Sequence, residues 1–84
     1  MDPMRLAETV VEVIREQLAS PDAVITPDTP LGADGLGIDS VDCLAIVLEL
    51  ERRTGLALRD EHLTAEALAT PGGLVRLLEQ AGQN

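Results

Sequence analysis

Apolar residues recur at helical spacing in several stretches of this chain, and one long segment breaks the pattern. Leu6, Ala7, Val10, Val11, Ile14 and Leu18 share a face at i, i+3, i+4 intervals, with Arg5, Glu8, Glu12, Arg15 and Glu16 opposite. This predicts a first helix that starts near Pro3. Asp2 is placed to cap it, Pro3 suits the first helical position, and Ser20-Pro21 ends it.

Residues 20–39 show no regular period. Pro21, Pro27, Pro30, Gly32, Gly35 and Gly37 forbid a long helix, and Asp28-Thr29-Pro30 reads as a turn. A structureless connection of this length is unusual in a small domain and is often functional. Val24, Ile25, Leu31, Leu36 and Ile38 are expected to pin it onto the helices.

The most apolar run follows, at residues 41–50. It predicts a second helix from Ser40 to about Arg53, capped by Asp39, with Asp42 three residues on in the manner of a capping box and Thr54-Gly55 as the stop. Residues 60–68 suggest a short helix. Thr70 caps a last one that starts at Pro71, carries Leu74, Leu77, Leu78 and Ala81 as its stripe, and ends at Gly82. The expected fold is all-α: a small four-helix bundle of three main helices and one short helix, with a long loop between the first two. Residues 1–84 read as a single domain, and the start and ends of the chain favour a standalone protein.

Composition narrows the function. A chain of 84 residues buries only about 60% of its unfolded surface, which leaves little room for a supported catalytic cleft. There is no aromatic residue, so the base-stacking used in single-stranded nucleic-acid binding is missing. The formal charge is −9. Phosphate backbones and anionic lipid surfaces would repel such a chain, whereas basic patches on proteins would complement it. The acidity also has a plainer use in solubility. No apolar run is long enough to span a bilayer, and Met1-Asp2-Pro3 is not a secretory leader. Cys43 is the only cysteine, which excludes an internal disulfide and makes a cytoplasmic setting the default. Arg without Lys, with much Ala, Leu and Gly, fits a GC-rich coding source.

Ser40 stands at the mouth of the second helix, at the end of the long loop. An Asp-Ser pair before an apolar helix is commonly plain capping. Here Asp39 and Asp42 both act on the helix start, so Ser40 is not needed as the cap. A phosphate on Ser40 would lie where helix amides and the dipole favour an anion. No nearby base can activate the hydroxyl, so it is read as a group that another enzyme modifies, and no catalytic residue is assigned. The second helix also has more apolar positions than one buried face needs. Leu44, Ile46, Val47 and Leu50 suffice for the core, while Val41, Ala45 and Leu48 follow a separate i, i+4, i+7 stripe rimmed by Asp42 and Glu51. That stripe is either a docking surface or one side of a fully buried central helix.

In these features the sequence resembles the acyl carrier protein family, the phosphopantetheine-binding carrier domains. The resemblance covers nearly the whole chain: helix, long Pro- and Gly-rich loop, Leu36-Gly37-Ile38-Asp39-Ser40-Val41, second helix, Thr54-Gly55, short helix and last helix. The family signature Asp-Ser-Leu stands here as Asp39-Ser40-Val41. The resemblance implies that a separate magnesium-dependent phosphopantetheinyl transferase attaches 4′-phosphopantetheine from coenzyme A to Ser40, beside Asp39. It further implies that the arm's thiol holds acyl groups as thioesters, and that the chain is a non-catalytic carrier. Its partners would be acyl-loading and acyl-transferring synthase enzymes that meet the second helix through Val41, Asp42, Ala45, Leu48 and Glu51. A monomer is expected. Ala45 and Arg52 stand where carriers of primary fatty acid synthesis usually show acids, which points to a more dedicated partner set in polyketide-type biosynthesis. The loop Leu31-Gly32-Ala33-Asp34-Gly35-Leu36 is slightly longer than the commonest form.

Other residues read more plainly. Cys43, inside an apolar helix without a basic neighbour, is packing. His62 is the only histidine and has no second ligand at metal spacing, so no metal site is assigned. Asp28, Asp34 and Asp39 do not match a calcium loop. Two rival functions remain open: a discrete peptidyl carrier with an aminoacyl group on the same arm, and an unmodified helical adaptor. Peptidyl carriers often lack the acid before the serine, so Asp39 favours the acyl reading over the first.

Overall fold

The computed structural model describes residues 2–83. Three α-helices follow in order, α1 (Pro3–Leu18), α2 (Ser40–Thr54) and α3 (Pro71–Gly82), with a 3-10 turn at Asp60–His62 between α2 and α3. Among the described residues there is no strand. The short helix expected over residues 60–68 is realised as this 3-10 turn and a following turn. The Thr64 side chain accepts from the Ala67 amide at 3.1 Å and the Thr64 carbonyl accepts from the Leu68 amide at 3.0 Å.

Each helix starts and stops where local chemistry dictates. The Asp2 carboxylate accepts from the Arg5 amide, the Asp39 carboxylate from the Asp42 amide, and the Thr70 hydroxyl from the Gly73 amide. Each of these bonds satisfies one of the amides that a helix start leaves without a partner. Proline opens α1 and α3. α2 ends on Gly55 in the left-handed region, with its amide on the Glu51 carbonyl.

α1 packs against both α2 and α3. Leu6, Val10, Val13 and Ile14 meet Ile46 and Leu50 of α2 and Leu74, Leu77 and Leu78 of α3 in one buried cluster. Val13 belongs to this core and Val11 is only half-buried, because the contact face of α1 is rotated slightly from the face chosen by spacing.

Three backbone bonds fasten the long loop. The Leu31 amide donates to the Ala69 carbonyl at 2.9 Å, Ile38 to Leu31 at 2.8 Å, and Gly72 to Pro27 at 3.0 Å. Leu31 and Ile38 are buried, and Ile25 and Leu36 pack against the core. Val24 does not pin the loop as expected: it is 82% exposed, because no helix face comes over it. The turn falls one residue early, with Thr29 donating to the Thr26 carbonyl. The extra loop length also finds a physical role. Residues 32–37 fold back so that the Gly35 and Gly37 amides reach the Gly32 carbonyl and the Leu36 amide reaches Pro30. A β-carbon at Gly35 would collide with the Pro30 carbonyl, and Gly37 has φ 74°.

A charged seam joins α1 to α2. Arg53 bonds Glu16 across the helices and Glu49 on its own helix at 2.7 Å, while Arg52 grips Glu49 from outside. The guanidinium bonds of Arg52 and then Arg53 hold the Glu49 carboxyl at about 2, below its ordinary 4.5.

Two predictions follow from this packing. Ile46 is fully buried, so Ile46→Ala should destabilise the fold by about 2–5 kcal/mol in urea titration. For Glu49, whose folded pKa is depressed, the stabilising contribution is fully present above pH 4.5 and is lost as pH falls toward 2. The stability difference between wild type and Glu49→Gln, followed by thermal unfolding against pH, should therefore be constant in the neutral range and shrink through that acid window. It should be smaller in high salt, since the group is partly exposed.

Candidate functional site

Ser40 is the first residue of α2 and is exposed. The helix start is held without it. The Asp39 carboxylate accepts from the Asp42 amide at 2.8 Å, and the Cys43 amide closes on the Asp39 carbonyl at 2.9 Å. The capping box is half-formed. The Asp42 carboxylate does not return to Asp39 but accepts from the Gln17 side chain at 3.0 Å, tying the end of α1 to the start of α2. The Ser40 hydroxyl takes part in no hydrogen bond among the described residues, and neither do the amides of Ser40 and Val41. An oxygen joined there would stand in water next to the positive end of a four-turn helix.

The chain has one other serine, Ser20, which makes an internal comparison. Ser20 lies just past the end of α1, its hydroxyl 3.4 Å from the Leu18 carbonyl and its amide on the Arg15 carbonyl. There the helix presents its carbonyls and the negative end of its dipole, an unfavourable place for a phosphate group. The two hydroxyls are both exposed, and the fold gives them opposite electrostatic surroundings.

Beside Ser40 runs an apolar stripe. Val41 is 73% exposed, Leu44 55% and Leu48 57%, at i, i+3 and i+7 spacing along α2. Leu44 was expected in the core and is not there. Ile46, Val47 and Leu50 already fill the buried side of the helix, and Leu44 falls on the opposite side. Ala45, expected on the stripe, is half-buried at its edge. Leu44 is thus the exposed position that spacing alone misassigned, although its i+3 relation to Val41 was visible. α2 is not a fully buried central helix.

The expected acidic rim is more occupied than the sequence indicates. Asp42 is held by Gln17, and the Glu51 carboxylate accepts from the Leu58 amide at 2.8 Å, supporting the return of the chain after α2. Glu49 is neutralised by Arg52 and Arg53. Cys43 is half-buried, and burial pushes its thiol above the ordinary value. It lines a depression of about 330 Å³ with Leu31, Gly32, Ile38, Ala65 and Leu68. His62 is exposed, 3.9 Å from Glu61. Among the described residues no three His, Cys, Asp or Glu side chains converge to hold a metal ion, and no helix is long and apolar enough to cross a membrane.

The arrangement combines an exposed serine hydroxyl that makes no hydrogen bond among the described residues with two unpartnered helix amides, surroundings that favour a negatively charged group. Comparison with known proteins bears on this geometry. The family model "Phosphopantetheine attachment site" matches residues 8–78, a span that includes the long loop, Ser40 and all of α2. The acyl carrier protein of Helicobacter pylori (strain G27) is 36% identical over 76 residues, covering 90% of this chain and 94% of that protein. The acyl carrier protein of Sulfurovum sp. (strain NBC37-1) is 39% identical over 77 residues, covering 90% of this chain and 97% of that protein.

The two roles at the helix start can be separated by mutation. Asp39→Ala should lower stability by about 1 kcal/mol through loss of the cap. Ser40→Ala should leave the unfolding midpoint nearly unchanged, as measured by circular dichroism, because the hydroxyl supports nothing in the fold.

Proposed function

The chain belongs to the acyl carrier protein family, and from that premise we propose that Ser40 is its attachment residue. Family membership makes the chain a non-catalytic carrier whose cofactor is covalently held 4′-phosphopantetheine. The observation that carries the assignment to Ser40 is its exposed, uncommitted hydroxyl at the start of a helix capped by Asp39. The Ser40 oxygen attacks the pyrophosphate phosphorus of coenzyme A that bears the pantetheine side. A new phosphodiester bond forms, the pyrophosphate bond breaks, and the adenosine bisphosphate half leaves. The hydroxyl proton goes to a base on the phosphopantetheinyl transferase, since the Ser40 hydroxyl bonds to no group of the carrier among the described residues and the neighbouring Asp39 carboxylate is engaged by the Asp42 amide. Once bound, the group supplies a flexible arm whose thiol carries an acyl chain as a thioester.

In this proposal the residues of the carrier do three things. Asp39 holds the helix start so that Ser40 stays exposed. The amides of Ser40 and Val41 favour the phosphate charge. Val41, Leu44 and Leu48, with Asp42 and Ala45 beside them, form the surface on which acyl-loading and acyl-transferring enzymes dock. The cargo is an acyl chain of polyketide-type biosynthesis and the setting is cytoplasmic. Support for a dedicated pathway comes from α2 itself, where Ala45, Arg52 and the neutralised Glu49 leave little free acidity beyond the first turn.

Incubation with coenzyme A, magnesium and a broad-specificity phosphopantetheinyl transferase, followed by intact mass measurement, tests the assignment. The native protein should gain the mass of one phosphopantetheinyl group, and Ser40→Ala should gain none. Equal modification of both proteins would show that another residue is the acceptor.

A further inference from the structure

The charge along the exposed face of α2 is not uniform. At the Ser40 end stand Asp39 and Asp42, with no cation from any ion pair against them among the described residues. The face then runs through Val41, Leu44 and Leu48. Four residues past Leu48, on the same line of the helix, comes Arg52, whose side chain is 70% exposed. Its guanidinium is held in a fixed orientation by Glu49, at 3.1 Å to Nε and 2.5 Å to Nη2. Glu49 is also gripped by Arg53, which bonds Glu16 of α1 as well, whereas Glu49 is the one ion-pair partner of Arg52 among the described residues. Glu51, the remaining acid at that end of the helix, is turned to the Leu58 amide. The stripe therefore begins in two carboxylates that are hydrogen-bonded to neutral groups and keep their charge, and it ends in a positioned cation.

We propose that α2 docks on a partner surface of matching polarity: an apolar hollow with a basic group facing Asp39 and Asp42 and a carboxylate facing Arg52. This rests on the reading of the Val41, Leu44 and Leu48 stripe as the docking surface and adds the chemistry of the partner. A uniformly basic partner surface, which would suit a uniformly acidic helix, meets a like charge at Arg52 and is disfavoured by it. Arg52 is thus a specificity-determining residue that sets both the choice of partner and the direction in which the carrier lies on it. The pairing costs little desolvation, since Arg52 already lies at the surface. Its effect on affinity is accordingly modest and its effect on discrimination is larger.

Two constrained helical peptides with the same leucine stripe provide the probe. One carries lysines at both ends, and the other has lysines at one end and glutamates at the other. Affinities for the full chain are read from chemical-shift titrations at low salt, with wild type, Arg52→Glu and Leu48→Asp compared after circular dichroism shows that each is folded. Wild type should bind the mixed-charge peptide about threefold tighter than the lysine-only peptide, the scale expected of one exposed charge pair. Arg52→Glu should reverse that order, and Leu48→Asp should weaken both peptides equally. If Leu48→Asp weakens both while the order ignores Arg52, the polarity proposal fails and the docking stripe stands. If Leu48→Asp has no effect, or neither peptide binds wild type, the docking reading fails and the polarity proposal with it.

Discussion

The bond from the Asp42 amide to the Asp39 carboxylate starts α2 without calling on the hydroxyl of Ser40. A serine at the N-cap itself spends its hydroxyl on an amide of the first turn, and then it is unavailable for anything else. Here the acid before it takes that duty. Ser40 is left inside the first turn, with its oxygen in solvent and two unpartnered amides nearby. The same substitution of roles explains why a hydroxyl so close to a hydrophobic core remains accessible. Ile38 two residues earlier is buried, Ile46 six residues later is buried, and Ser40 lies on the outer side of the chain between them.

The placement of that turn is set from outside α2. Leu31 and Ile38 anchor the end of the long loop in the core and bond to each other, and Leu31 bonds onward to the segment ahead of α3. Gln17 at the end of α1 holds Asp42. The start of α2 is thus fixed by contacts from all three helical regions, while the face beyond it is uncovered. A rigid base and an open face suit a carrier, whose attached group has to enter partner sites while the protein itself stays folded. A core of aliphatic residues alone supports this geometry, with α1 as the element shared by both other helices.

Much of the fold was legible in the sequence because its boundaries are written in capping chemistry. Asp2-Pro3, Asp39, Thr54-Gly55 and Thr70-Pro71 each fix a helix end by a local bond or a fixed dihedral, and these are properties of a few neighbouring residues. Assignments that depended on tertiary rotation were less visible. Val11 and Val13 differ in burial only because of how α1 is turned, and Leu44 is exposed because the side of α2 that carries Ile46, Val47 and Leu50 is the one turned inward. Val24 is apolar and lies in a loop, but nothing in its own spacing says that no helix covers it. The position of Ser40 at an exposed helix start was legible, since its context spans six consecutive positions, Leu36 to Val41. The loss of free acidity along α2 was not, because Glu49 and Glu51 are committed by side-chain bonds to Arg52, Arg53 and a distant amide.

The central claim is that one particular oxygen carries the prosthetic group, and the chain's two serines make this decidable. Ser20 is exposed, like Ser40, but lies at the carbonyl end of a helix, where added negative charge is disfavoured. The direct measurement is tandem mass spectrometry of peptides from the protein isolated from its own cells, with the attached group located by fragmentation. A phosphopantetheinyl group on Ser40, with Ser20 bare, is the expected result. A group on Ser20 or elsewhere, or a wholly unmodified Ser40, would contradict it.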